Sequence, residues 1–190
     1  MNEAKAAAGS RIHNKTKDMV YIALFAVLIA VGSWISIPTT VPFTLQTFAV
    51  FVTLGILGGR RGTFSVLLYI LLGAVGIPVF SGFRGGIGVL LGNTGGYIVG
   101  FLLTALIVWG IEKVLGRGLK VQIISMVLGL VVCYGFGTAW FLFVYMRTAG
   151  AVGIMTVLSW CVFPFILPDL VKLGLALTIS RRVARYAEID

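Results

Sequence analysis

Residues 19–37 read M-V-Y-I-A-L-F-A-V-L-I-A-V-G-S-W-I-S-I, nineteen positions without a charge. A bilayer core about 30 Å thick is crossed by roughly 17–25 apolar residues in helical form, so this stretch is long enough to span it. Five more runs share its character: 43–59, 63–79, 94–111, 121–145 and 151–180. The second and third are short, and Gly58, Gly59, Arg60, Arg61 and Gly62 separate them as a tight turn. The last is too long for one straight helix, and Pro164 and Pro168 are expected to break it, since proline lacks a helical N–H and clashes with the preceding turn. The pattern predicts an all-α membrane protein, with six transmembrane helices as the best count and five or seven as the alternatives.

Composition agrees. Of 190 residues, 59% are hydrophobic and 11% charged, against about 25% charged in a soluble domain. Mean hydropathy is +1.06. The 25 glycines have no period of three, which excludes collagen, and small residues let membrane helices approach closely. The net charge of +9 is scattered in short clusters between apolar runs rather than gathered on one stripe, which argues against nucleic acid as a partner.

Those clusters orient the chain. Lys5, Arg11, Lys15, Lys17, Arg60, Arg61, Lys113, Arg117, Lys120, Arg181, Arg182 and Arg185 fall on one side of the expected spans, and only Arg84 and Arg147 on the other. The positive-inside rule then places both termini in the cytoplasm. The expected organisation is a polar, mobile cytoplasmic arm at 1–18, one six-helix domain at 19–182 and a cytoplasmic tail at 183–190. The first apolar run ends without an A-x-A site, so it reads as a retained span rather than a cleaved signal.

Polar residues inside the apolar runs are the candidates for chemistry. Asp169 and Lys172, in Pro164-Phe-Ile-Leu-Pro168-Asp169-Leu-Val-Lys172, share a helical face at a spacing of three. A charge near the bilayer centre costs at least about 2.5–3.5 kcal/mol, so such residues face a cavity or each other. Twelve residues separate Asp169 from Arg181, about 18 Å of helix, which places the pair in the outer half of the membrane. Arg84, in Gly82-Phe83-Arg84-Gly85-Gly86-Ile87-Gly88, is either solvated or an anion reader, since guanidinium binds carboxylate bidentately. Gly92-Asn93-Thr94-Gly95-Gly96-Tyr97-Ile98-Val99-Gly100 carries a glycine seam at spacing four, with Asn93 and Tyr97 beside the membrane mouth. Tyr134-Gly-Phe-Gly-Thr-Ala-Trp140 places aromatics next to small residues, as core packing or as a wall for a bound ring. Ala26 and Ala30, with Ala23 nearby, form a small-residue stripe whose default role is packing within the chain.

Enzyme classes lack support. His13 is the only histidine and lies in the polar arm, Cys133 and Cys161 read as packed thiols, and Asp169 is the only acid within the apolar runs. No P-loop, HExxH, G-x-S-x-G or zinc-deaminase pattern occurs, so no catalytic residue, metal ligand or cofactor is assigned.

At these motifs the sequence resembles a known family. From Lys17 to Arg182 it is similar to the BioY family, the biotin-specific S components of energy-coupling factor (ECF) vitamin transporters. The likeness rests on Pro42-Phe-Thr-Leu-Gln46, Gly73-Ala-Val-Gly-Ile-Pro-Val-Phe80, Gly92-Asn-Thr-Gly-Gly-Tyr97, Tyr134–Trp140 and Pro164-x-x-x-Pro168-Asp169-x-x-Lys172. Asn93 departs from the family's Gly-Pro-Thr-Gly-Gly-Tyr pattern and adds a polar group there. The resemblance implies the six-helix S-component fold in the cell membrane and capture of biotin from outside. It also implies delivery with a transmembrane coupling protein and two cytoplasmic ATPases, with Ala23, Ala26 and Ala30 as a docking stripe for the coupling protein. For the ligand, Asp169 would accept from the ureido N–H groups while Lys172 or Asn93 donates to the ureido oxygen. Tyr97 and Trp140 would flank the apolar ring, Arg84 or Lys172 would meet the carboxylate, and Gln46 joins the binding set through its motif. An S component for another vitamin and an autonomous small secondary carrier are the competing readings.

Overall fold

The computed structural model describes residues 2–186, with side chains from 15 to 183. Its helices are α1 Asn2–Trp34, α2 Gln46–Ala74, α3 Ile87–Leu91, α4 Gly95–Leu115, α5 Leu119–Thr148, α6 Ile154–Cys161 and α7 Phe163–Tyr186. Two short strands, β1 Ser36–Ile37 and β2 Phe43–Thr44, pair antiparallel between α1 and α2. Among the described residues, five helical stretches are long and apolar enough to cross a membrane: Lys15–Trp34, Gln46–Ala74, Gly95–Leu115, Leu119–Thr148 and Ile154–Val183. Helix α1 begins at Asn2, so the polar stretch expected as a separate arm is helical and continuous with the first apolar run.

Helix α2 is not straight. Residues 46 and 69 of a continuous helix would stand about 34 Å apart, yet Gln46 Nε2 donates to Tyr69 Oη at 3.1 Å. The chain reverses at Gly58, whose φ of 77° and ψ of 172° interrupt the helix, a conformation glycine reaches without the Cβ penalty. The reversal exposes carbonyls at the end of one arm and an N–H at the start of the next, and they are capped from the α4–α5 connection and from the end of α4. Arg117 Nη2 donates to the carbonyls of Gly55 and Ile56 at 2.8 and 2.6 Å, and the Gly59 N–H donates to Glu112 Oε2 at 2.6 Å. A cation at a helix C-terminus and a carboxylate at an N-terminus each complement the local backbone charge.

Helices α4 and α5 meet along a seam of small residues. Gly96 receives Trp140, Gly100 sits against Cys133, Gly129 against Thr104, and Gly137 against the Tyr97 ring. Thr104 Oγ1 crosses the seam to the Gly129 carbonyl at 2.9 Å. Gly92, expected in the same row, instead ends α3. On α1 the small residues serve the same purpose. Ala26 and Ala30 are only 2% and 4% exposed, within the core, while Ala23 faces outward. Within this chain the close approach that Ala26 and Ala30 permit is used inside the bundle.

The break in the last apolar run also differs from expectation. Val162, with φ −125° and ψ −58°, separates α6 from α7. Pro164 lies at the second position of α7, where its missing N–H has no helical partner to lose. Pro168 sits inside α7 without ending it.

At the end opposite the reversal, the connection from α2 to α3 is fastened to α1. Ser33 Oγ donates to the Val79 carbonyl at 2.5 Å, Trp34 Nε1 to the Pro78 carbonyl at 2.9 Å, and the Trp34 and Phe83 rings stack at 5.1 Å. Beneath it, the Phe80 ring fills the space that Gly73 leaves open.

The seam yields a prediction. Gly96→Ala would press a methyl into Trp140, whereas an added Cβ at Gly135 meets nothing within 4 Å. Thermal unfolding in detergent should show Gly96→Ala destabilised by about 1–3 kcal/mol, the cost of overpacking, and Gly135→Ala unchanged or slightly stabilised. Equal melting of the two variants would contradict the seam.

Candidate functional site

Asp169 lies nearly two turns into α7 and Lys172 three residues further, so the helix itself brings the two onto one face. Both are buried, at 2% and 7% exposure, and Lys172 Nζ stands 2.9 Å from Asp169 Oδ1. Neither end of the pair is satisfied by the other alone. Tyr134 Oη, from α5, donates to Asp169 Oδ2 at 2.7 Å. Lys172 Nζ donates to the Thr44 carbonyl of β2 at 2.8 Å and lies 4.2 Å from the centre of the Phe43 ring, where the ring's quadrupole attracts a cation. The Phe43 ring in turn stacks on Phe165 at 5.7 Å. Thus α5, α7 and the β-hairpin converge on one ion pair.

A cavity of about 80 Å³ adjoins the pair. Its polar side carries Asp169, Lys172, Thr44, Gln46, Thr47, Tyr134 and Ser81, and its apolar side Val41, Phe80, Tyr97, Ile98, Phe101, Leu130 and Phe165. Cys133 and Cys161 complete the wall as free thiols. The Tyr97 hydroxyl shares a 3.0 Å hydrogen bond with Thr138, which fixes the ring along the cavity. Arg84 reaches the cavity from the exposed α2–α3 connection, which a bridge between Phe80 and Arg84 folds back on itself. Its Nε donates to the Ser81 carbonyl at 3.1 Å.

Five of the seven candidate binding residues therefore meet at one cavity: Asp169, Lys172, Tyr97, Arg84 and Gln46. Two do not. Trp140 turns away, its Nε1 donating to the Gly92 carbonyl at 3.0 Å and its body packed on Gly96. Asn93 lines an adjoining depression of about 280 Å³ with Gly88 and Gly92, which shares Arg84, Val89 and Thr94 with that cavity. Residues not singled out from sequence take direct parts in the site. Tyr134 belonged to a motif noted for its aromatics, but its hydrogen bond to Asp169 depends on how α5 packs. Thr44 acts through its backbone carbonyl, which no side-chain pattern announces.

The chemistry of the arrangement follows from donors and acceptors. Each Asp169 oxygen has one protein partner and retains acceptor capacity, since a carboxylate offers about four lone-pair positions. Lys172 and Tyr134 hold it in place. A ligand with two N–H groups on one edge and an apolar body fits between this acceptor and the aromatic wall, with Arg84 at the mouth for an anionic group. Few polar groups converging in an otherwise apolar cavity are the usual make-up of a small-molecule site.

Fold and site together define a multi-pass membrane protein with a small-molecule cavity buried among its helices. Residues 3–188 match the BioY family, and the chain belongs to that family. It is 42% identical over 170 residues to the probable biotin transporter BioY of Pyrococcus horikoshii, covering 89% of this chain and 97% of that protein. It is 40% identical over 170 residues to the biotin transporter BioY of Thermotoga maritima, covering 89% and 96%. The fold matches a crystal structure of the S-component for biotin from an ECF-type ABC transporter, with a TM-score of 0.79, 27% identity and coverage of 91% and 93%.

The pair itself is testable. Removing one partner of a buried ion pair leaves an uncompensated charge, at a cost of about 3–5 kcal/mol, whereas replacing both with apolar groups is often neutral. Asp169→Leu and Lys172→Met should each lower stability in detergent by that amount, and the double variant by less than either. Additive losses in the double variant would show that the two side chains do not act as a unit.

Proposed function

We propose that this chain is the biotin-binding S component of an ECF-type uptake transporter. The observation that carries the reading is the buried Asp169–Lys172 pair opening onto a cavity with aromatic walls, in a chain similar to biotin transporters over most of its length. Biotin offers two ureido N–H donors and one carbonyl acceptor, an apolar thiophane ring and a carboxylate on a flexible chain. Asp169 accepts from the ureido N–H groups, Lys172 donates to the ureido oxygen, Tyr97 and Phe165 enclose the ring, and Arg84 meets the carboxylate. Gln46, held by Tyr69, borders the polar side. Asn93 and Trp140 act from outside the cavity, Asn93 at the adjoining depression and Trp140 by holding the Gly92 carbonyl. In a dry site each unpaired polar group costs about 1–3 kcal/mol, which gives such a match its selectivity.

In this reading both arms of α2 cross the membrane, giving six spans with the reversal at Gly58 on the cytoplasmic side. The two arms span about 20 and 24 Å, short for a 30 Å core, and Arg61, Arg117 and Glu112 meet the headgroup region there. The basic end, which holds Arg61 paired with Asp18 at 2.8 Å, faces the cytoplasm by the positive-inside rule. Both termini then lie inside, with 1–18 and 183–190 as cytoplasmic extensions of a single domain at 19–182. Arg84 and the cavity mouth face outward. A transmembrane coupling protein and two cytoplasmic ATPases supply the energy. With Ala26 and Ala30 buried, the outer side of α1, where Ala23 is exposed, is the surface offered to the coupling protein.

Calorimetric titration of the purified protein tests the assignment. Asp169→Asn should weaken biotin binding more than tenfold, or about 1.4 kcal/mol. Unchanged affinity removes Asp169 from the site, and tight binding of riboflavin or thiamine in place of biotin removes the substrate assignment.

Arg84 is tested by selectivity rather than affinity alone. The wild-type protein should prefer biotin to biotin amide, and Arg84→Ala should lose that preference while still binding both. Equal discrimination by the two proteins would exclude Arg84 as the carboxylate reader.

A further inference from the structure

A second concavity lies at the basic end, away from the biotin cavity. Helix α5 packs against α4, and α7 against α2, so the start of α5 and the end of α7 leave a groove between them. It measures about 340 Å³ and is lined by Leu119, Ile123, Leu177, Thr178, Arg181 and Arg182. Its walls are mostly apolar, and two guanidinium groups stand where the apolar stretch Ile154–Val183 ends.

Among the residues with described side chains, no acid neutralises the charge there. The acids among residues with described side chains are Asp18, Glu112 and Asp169, and each is engaged elsewhere: with Arg61, with the Gly59 N–H, and with Lys172. A helix-dipole role does not account for both arginines, because α7 continues to Tyr186 and that effect falls off within the last turn. Thr178 Oγ1 is occupied by the Gly174 carbonyl at 2.9 Å, leaving the two arginines as the polar recognition elements.

We infer that this groove binds an anionic phospholipid, an acyl chain lying along Leu119, Ile123 and Leu177 and the phosphate held by Arg181 and Arg182. Guanidinium matches phosphate geometry with paired hydrogen bonds, and basic pockets between membrane helices suit such headgroups. The apolar walls select a lipid over free phosphate, and the height of the arginines matches a headgroup rather than the bilayer interior. A protein partner would meet the same arginines without needing the groove's depth.

The full-length protein, purified in neutral detergent, is incubated with equal amounts of phosphatidylglycerol and phosphatidylcholine of identical acyl chains, washed, and its retained lipid quantified by mass spectrometry. Phosphatidylglycerol should be retained at least tenfold over phosphatidylcholine, and excess inorganic phosphate should not displace it. R181Q/R182Q should lose at least tenfold of that retention, and Thr178→Trp, which fills the groove with both arginines intact, should lose a similar share. K113Q/K120Q, basic residues outside the groove, should keep it. Biotin titration confirms that each variant is folded. Equal retention of the two lipids, displacement by phosphate, or equal loss in K113Q/K120Q overturns the inference. It is also overturned if R181Q/R182Q keeps its lipid but no longer co-purifies with the ATPase module, which would assign the groove to a protein partner.

Discussion

An ammonium and a carboxylate placed in a low-dielectric bundle persist only where each is paired and hydrogen-bonded. Lys172 meets this condition with the Asp169 carboxylate, the Thr44 carbonyl and the Phe43 ring, and Asp169 with Lys172 and Tyr134. These partners come from three parts of the chain. Their convergence requires Tyr134 of α5 and the β-hairpin to reach the same face of α7. The ion pair thus couples local charge satisfaction to the placement of the segments around the cavity, and leaves acceptor capacity on the carboxylate facing the open space.

The rest of the fold supplies the rigidity this arrangement needs. Glycine against Trp140, Cys133, Thr104 and Tyr97 draws α4 and α5 together and fixes Tyr97 as a cavity wall. At the opposite end, Arg117 and Glu112 cap the reversal at Gly58, which holds Gln46 and Tyr69 in register near the site. Membrane helices gain little from burying apolar side chains against one another rather than lipid, so close packing and interhelical hydrogen bonds carry this work.

Much of this was legible in the sequence because the bilayer imposes simple rules. Charge-free runs of the right length marked the helices, and the Gly58–Gly62 cluster marked the turn between two short runs. The isolated acid and base at 169 and 172 marked the candidate site, and the structure pairs them beside a cavity. The losses have equally physical causes. Small-residue spacing reports close approach but not its partner, so spacing alone left open what Ala26 and Ala30 pack against, which within this chain is the core. An aromatic beside glycines does not reveal which way its ring turns, so core packing and a ligand wall both stayed open for Trp140, whose indole N–H donates to the Gly92 carbonyl and whose body packs on Gly96. Thr44 was invisible as a ligand to Lys172 because a backbone carbonyl has no sequence signature. Pro168 was overestimated as a breaker: at the sixth position of α7 it forfeits one helical hydrogen bond, yet the helix continues past it.

The central claim is that the ion pair is retained within the membrane to read a ligand, and the structure of the biotin complex tests it most directly. The account predicts the ureido edge of biotin within hydrogen-bond distance of Asp169 and its carboxylate toward Arg84. Biotin bound elsewhere, with Asp169 and Lys172 still closed on each other and untouched, would contradict it.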